Sequence, residues 1–209
     1  MRVVILSKAL VVGAYQTKLA RLAALPDIEL TAIVPPAWRD ERGTLHLERS
    51  RTNGYQLIVT PIAFNGSFHL HFYPGLGRLL DRLRPDILHI DEEPYNLATF
   101  LALRSARRAG ATRTLFFSWQ NLNRRYPIPF SWIERYTLEH VDACIAGNHD
   151  AGRVWRAKGY RGPIAIIPQF GVDPDVFRPR SGSGEDSETL TTFVLNETLN
   201  IELEATVVK

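Results

Sequence analysis

Apolar and polar positions along this chain switch repeatedly between two periods. Arg2-Val3-Val4-Ile5-Leu6 is a short β-rich run, and Tyr15, Leu19, Leu22 and Ala23 then fall on one helical face that Pro26 limits. Residues 29–34 form a second strand, closed by Pro35-Pro36. Residues 38–54, WRDERGTLHLERSRTNG, are polar and charged and read as a surface excursion before a strand over 55–63. Asn65-Gly66-Ser67 is turn chemistry.

The alternation then continues. A helix is predicted over 75–84 and a short buried strand over 86–90. A helix over 95–108 follows, ended by Gly110, and then a strand over 114–118. Ser131-Trp132-Ile133-Glu134 has the spacing of a capping box, opening a helix that runs to His140. A strand over 142–146, a helix capped by Asn148 and ended at Gly159, and a strand over 164–167 complete the series. Strands separated by helices of this length imply βαβ units, hence an α/β fold with a Rossmann-like parallel sheet covered by helices on both faces. Residues 180–188, RSGSGEDSE, are a flexible polar linker by composition. Beyond them Leu199, Ile201, Leu203, Ala205 and Val207 alternate with polar residues, the pattern of a half-buried strand and so of a short β-like tail.

Composition narrows the classes. With 45% hydrophobic and 22% charged residues the chain is that of an ordinary globular protein, and 209 residues suffice for one full core. No run approaches the ~18 apolar residues of a membrane span. The apolar start is interrupted by Ser7, Lys8 and Gly13 and has no small-residue cleavage site after it, so it reads as a first strand rather than a signal peptide. Cys144 is the one cysteine, which excludes an internal disulfide framework and points to a reducing, cytoplasmic setting; its apolar surroundings predict a buried, inert thiol. The net charge of +3 is uneven: residues 180–209 carry −4, leaving +7 on the first 179. A basic body favours anionic partners: phosphorylated ligands, an acidic membrane surface, or nucleic acid.

In an open α/β sheet the ligand lies outside the carboxyl ends of the strands, which selects four loops. The first, SKALVVGAYQ, places Gly13 before a helix, where a glycine lets a phosphate approach free backbone N–H groups or is merely tolerated in a turn. The second, HIDEEPY, stacks Asp91, Glu92 and Glu93 at a strand end; such acids repel unless solvated or occupied. Asp91 and Glu92 are the candidates for ligand contact, and Glu93 for capping the next helix. The third mixes Trp119, Gln120, Asn121, Arg124 and Arg125, which suits sugar rings, hydroxyls and phosphates. The fourth contains Asn148. Between residues 101 and 140 there are seven Arg to two Glu, a balance that fits a membrane surface, a lipid-phosphate acceptor, or a solvated basic face with Trp132 packed inward. His69 and His71 in FHLHF share a face if this stretch is a strand, and two His without a third ligand do not make a metal site. There is no GxSxG elbow, P-loop or HExxH, and no signature of a nucleic-acid-binding module.

The order of features also carries a resemblance. RPDILHIDEEPYNLAT (84–99), WQNLNRRYP (119–127) and the stretch from ERYTLEHVDACIAGNHD to IIPQFGVDPDVFRP (134–179) resemble the amino-terminal domain of a GT-B glycosyltransferase of the large retaining family numbered four. The resemblance covers residues 1–179 and implies one half of a two-domain fold: an acceptor-side domain here, and a carboxy-terminal domain that holds a nucleotide-sugar. It implies catalysis without a metal or resident cofactor, and places Gly13 against the donor diphosphate. Where the family often has a histidine after the strand over 114–118, this chain has Ser118-Trp119-Gln120, so Gln120 and Asn121 are the candidates for that space.

The family continues well beyond Pro179, and here an acidic linker and tail follow instead, without the E-x7-E motif of the donor site. The expectation is therefore an acceptor-binding half that transfers no sugar alone, acting on a saccharide or lipid-linked acceptor, with a separate carboxy-terminal half as partner. It would sit in the cytoplasm, with peripheral contact to the inner membrane face. The alternatives are a non-catalytic module binding a glycan or anionic lipid, or a truncated fragment without function.

Overall fold

Val4, Ile5 and Leu6 are all buried, so β1 (Arg2–Leu6) is covered on both faces, as its unbroken apolar run requires. The computed structural model describes residues 1–49, 53–110, 112–169 and 171. The hinge and tail expected over 172–209 lie outside them. In chain order the strands are β1, β2 (Glu29–Val34), β3 (Ala37–Asp40), β4 (Gly43–His46), β5 (Gln56–Val59), β6 (Ile87–Ile90), β7 (Arg113–Ser118), β8 (Ala143–Ala146) and β9 (Ile164–Ile166). The helices are α1 (Thr17–Ala23), α2 (Leu76–Leu83), α3 (Leu97–Ala109), α4 (Phe130–His140) and α5 (His149–Ala157).

Seven strands form one parallel sheet in the order β5-β2-β1-β6-β7-β8-β9. The chain winds outward from β1 through β2 to β5, then returns to β6 on the other side of β1. The switch point of this doubly wound sheet therefore lies between β1 and β6.

Side-chain alternation along the strands divides the core in two. Val4, Leu6, Leu88 and Ile90 pack against Leu76, Leu79, Leu80, Ala102 and Leu103 of α2 and α3. Ile5, Ala32 and Val34 face the opposite way, against Leu10 and Leu19. Towards the far edge Phe116 meets Trp155 of α5 edge-on at 5.7 Å, with Tyr160 beside them. Each such side chain contributes about 1.5–3 kcal/mol by leaving water. Cys144 is in the same cluster, and burial pushes its thiol up to about 12, which makes it the inert thiol expected.

Four local expectations are corrected. The excursion over 38–54 contains a hairpin, β3 paired antiparallel with β4, and Trp38 anchors it by packing on Phe68 and His71 at 5.4 and 5.1 Å. The strand expected over 55–63 ends at Val59. FHLHF is not a strand: Ser67 N–H donates to the Phe64 carbonyl and His71 N–H to that of Ser67, and only Phe72 bridges back to Ala63. The capping box does not form either. The amides of Ser131, Trp132 and Ile133 are taken by the carbonyls of Pro127 and Pro129, and Glu134 is drawn away to Lys158 at 2.6 Å. Among the described residues no helix is long and apolar enough to cross a membrane.

Candidate functional site

The carboxyl ends of β1 and β6 bring Ser7-Lys8 and Asp91-Glu92-Glu93 together at the switch point. All three carboxylates have protein partners, and Asp91 and Glu92 are buried. Glu92, 3% exposed, receives the backbone N–H of Lys8 at 3.2 Å, the Tyr73 hydroxyl at 3.1 Å and the Lys8 ammonium. His71 Nε2 lies 3.3 Å from the same carboxylate, and its Nδ1 is 3.0 Å from the Ser67 carbonyl. Burial pushes Glu92 up, but the charges and hydrogen bonds of Lys8 and His71 outweigh it and hold the carboxyl at about 2. Lys8 in turn lies over the rings of Trp38 and Phe68, at 5.3 and 5.6 Å.

Asp91 forms the second pair. Lys18 of α1 reaches it at 3.0 Å, and its other oxygen accepts from Gln169 Nε2 at 2.6 Å. Burial raises its pKa and Lys18 lowers it, with a net depression. His89, just upstream on β6, is held neutral: burial lowers it to about 4 against the opposing pull of Asp91.

Glu93 behaves differently from its neighbours and does not cap α3. Its oxygens accept from Ser118 Oγ at 2.5 Å and from Trp119 N–H at 2.9 Å, which joins the ends of β6 and β7. No cation pairs with it among the described residues, and burial raises its pKa to about 7 despite those two bonds. Thr99 Oγ1 donates to the Glu93 carbonyl instead, at the start of α3.

The third loop is ordered by its own side chains. Trp119 Nε1 donates to Gln169 Oε1 at 2.7 Å. Gln120 donates to the Leu122 carbonyl at 3.0 Å and accepts from the Tyr126 hydroxyl at 3.0 Å. Tyr126, Tyr95, Phe130 and His69 form one aromatic cluster, with ring centroids 4.1–5.8 Å apart. His69 and His71 thus occupy separate environments.

The remaining sequence candidates divide. Asn121 is half-buried beside Gln120. Arg124 and Arg125 are away from the switch point, lining a groove between α4 and the chain that leaves α5. Asn148 spends its carbonyl oxygen on Ala151 N–H at 2.8 Å and caps α5. Gly13 is buried, and its N–H donates at 2.7 Å to the carboxylate of Glu48. Sequence reasoning missed Lys8, Lys18, His71, Tyr73 and Gln169. For Lys8 a signal existed, since it follows β1 directly; the others reach the site only through tertiary folding.

The arrangement is a buried polar layer of two lysine–carboxylate pairs, with Trp119 and Gln120 beside it where the chain leaves β7. Asp91 and Glu92 are 5% and 3% exposed and engaged by these partners, so the groups left to meet a hydroxyl-rich ligand here are the half-buried Trp119, Gln120 and Asn121. Both cation-paired acids are locked ionised, and Glu93 is the carboxyl whose proton occupancy changes near neutrality.

Three comparisons bear on this geometry. The model of Glycosyltransferase Family 4 matches residues 17–176. A solved UDP-N-acetylglucosamine 2-epimerase superposes with a TM-score of 0.53 at 13% identity, covering 79% of this chain and 47% of its own. A protein described as a UDP-N-acetylglucosamine 2-epimerase from Listeria monocytogenes gives 0.50 at 11% identity, covering 77% and 43%. The chain spans less than half the length of these two structures, and at such identity the likeness concerns the fold. Comparison with curated proteins gives no match. With the family match running from α1 through β9, this protein belongs to Glycosyltransferase Family 4, and its sheet is the Rossmann-like amino-terminal half of a GT-B fold.

Proposed function

We propose that this chain is the acceptor-binding half of a retaining glycosyltransferase. It orients a saccharide or lipid-linked acceptor while a nucleotide-sugar, held by a carboxy-terminal half, supplies the sugar. In the transfer an acceptor hydroxyl oxygen bonds to the anomeric carbon, the bond from that carbon to the diphosphate oxygen breaks with its electron pair going to the diphosphate, and the hydroxyl proton passes to that departing diphosphate. Orientation and stabilisation of the departing diphosphate carry such a reaction, and the reading calls on no metal. It places the work in the cytoplasm, where nucleotide-sugars would be met.

The observation that supports this reading is the placement of the Lys8–Glu92 and Lys18–Asp91 pairs at the carboxyl ends of β1 and β6. That is where doubly wound sheets take their ligands. A buried charge pair is weak support for stability, so its presence at this point favours a role in recognition. Gln120 and Asn121 at the rim supply amides for sugar hydroxyls.

The test is titration of the purified chain with a panel of oligosaccharide acceptors, followed by saturation-transfer NMR. The expected result is binding of at least one acceptor, weakened about tenfold by Asn121→Ala, the loss of one good hydrogen bond, with an unchanged circular-dichroism spectrum. Absence of saccharide binding, or binding indifferent to both Asn121→Ala and Gln120→Ala, would overturn the reading. Sugar transfer from a nucleotide-sugar by the 209 residues alone would overturn the need for a second half.

A further inference from the structure

A different part of the molecule carries a second inference, independent of the acceptor site. Ile128 is 84% exposed, Leu122 49% and Trp132 46%. Three large apolar side chains thus stand in solvent within eleven residues, and the reading in which Trp132 packs inward under a solvated basic face does not hold. Trp132 meets Phe100 at 5.1 Å and Tyr136 at 5.9 Å on one side and leaves the rest of its ring open.

The residues on either side of Ile128 present few backbone groups that need water. Pro127 and Pro129 have no N–H to satisfy. Their carbonyls are already taken, that of Pro127 by Ser131 N–H, that of Pro129 by the amides of Trp132 and Ile133. The two prolines and these bonds reduce the number of backbone groups at the tip that must be desolvated in an apolar medium.

Next to this tip lies the groove between α4 and the end of α5, about 870 Å³. Its lining has five cations, Arg124, Arg125, Arg135, Lys158 and Arg161, against Glu134 and Glu139. Lys158 is spent on Glu134 and on the Arg124 carbonyl. None of the four arginines has an ion-pair partner among the described residues.

We infer that this face docks on an anionic lipid bilayer, with Leu122, Ile128 and Trp132 entering the headgroup–acyl boundary and the four arginines meeting lipid phosphates. Apolar tips flanked by arginines match both layers of such a surface at once. A nucleic acid would satisfy the arginines but offers nothing to exposed aliphatic side chains such as Ile128 and Leu122.

The experiment is co-sedimentation of the full chain with vesicles of phosphatidylcholine alone and of phosphatidylcholine mixed with phosphatidylglycerol. Binding is expected to the mixed vesicles only, and to weaken as salt rises. Arg124→Ser with Arg125→Ser should weaken it about thirty-fold, from two lost cation–surface attractions. Ile128→Ser should weaken it about tenfold, and at 84% exposure this change leaves the fold intact, checked by thermal unfolding. Equal binding to both vesicle types, no binding to either, wild-type binding by both variants, or tighter binding to a DNA duplex than to the mixed vesicles would overturn the inference.

Discussion

The indole of Trp119 lies so close over Gly147 that a Cβ on the glycine would sit 2.4 Å from ring carbon Cε3. The same indole donates to Gln169, and the backbone N–H of Trp119 donates to Glu93. A glycine after β8 is therefore what allows the residue after β7 to lie across the sheet edge.

Replacing Gly147 with alanine should expel the ring from this seat and break the Trp119–Gln169 bond. Overpacking of this kind costs about 1–3 kcal/mol, measurable by urea unfolding with indole fluorescence as the probe. Combining it with Trp119→Ala should cost little more than Trp119→Ala alone, because the clash then has no second partner. Additive losses would show that the indole is not what Gly147 accommodates.

The raised Glu93 carboxyl gives a pH signature with a definite sign. Its pKa is about 7 in the folded chain and about 4.5 when exposed. The folded state thus binds the proton more tightly, and this contribution is fully present below about pH 4.5 and lost as pH rises through 7. Unfolding free energy should fall across that window by on the order of 3 kcal/mol from this group. Glu93→Gln, which can still accept from Trp119, should flatten that part of the profile. An unchanged slope in the variant would exclude Glu93 as its source.

Glu92 predicts the opposite limb. Its depressed pKa, about 2, contributes stability above about pH 4.5 that disappears as pH falls towards 2. Lys8→Met should cost about 3–5 kcal/mol by leaving a buried carboxylate without its ammonium. Adding Glu92→Gln should recover part of that loss, since both charges are then gone. Equilibrium unfolding of the two single variants and the double variant measures the coupling.

Asn148 offers a separation of roles. As the cap of α5, its change to alanine should lower stability by about 1 kcal/mol. Acceptor titration of the variant should match the parent chain, because its carbonyl oxygen is already committed to Ala151. A weakened acceptor with unchanged stability would move Asn148 back into the ligand site.

Much of the architecture is legible before folding, and the reason is local. β1 and β2 are buried on both faces over most of their length, so each announces itself as a largely apolar run, and Asn148 and Gly159 punctuate α5 with their own backbone needs. What fails is decided by partners distant in sequence. Ser131 and Glu134 have the spacing of a capping box, but Lys158 lies 24 residues away and takes the glutamate. His71 alternates with His69 as in a strand, yet Glu92 draws one inward while Tyr95 and Phe130 hold the other.

The site shows the same division. Asp91 and Glu92 stand out in sequence because adjacent acids must be neutralised by something, and that something proves to be Lys18 and Lys8, 73 and 84 residues away. The sequence shows the demand for cations but not where they come from. Arg124 and Arg125 stand out equally, as charge beside aromatics, and the folded chain carries them to the flank.

Gln169 follows β9 by three residues, and its one amide holds Trp119 with its oxygen and Asp91 with its nitrogen. The point at which the chain leaves the sheet is thereby tied to the ends of β6 and β7. Pulling on the polypeptide there cannot be a remote event: it must break a bond to Asp91, and with it loosen the carboxylate that Lys18 holds. The last strand of this sheet is a tether whose tension is registered at the switch point itself.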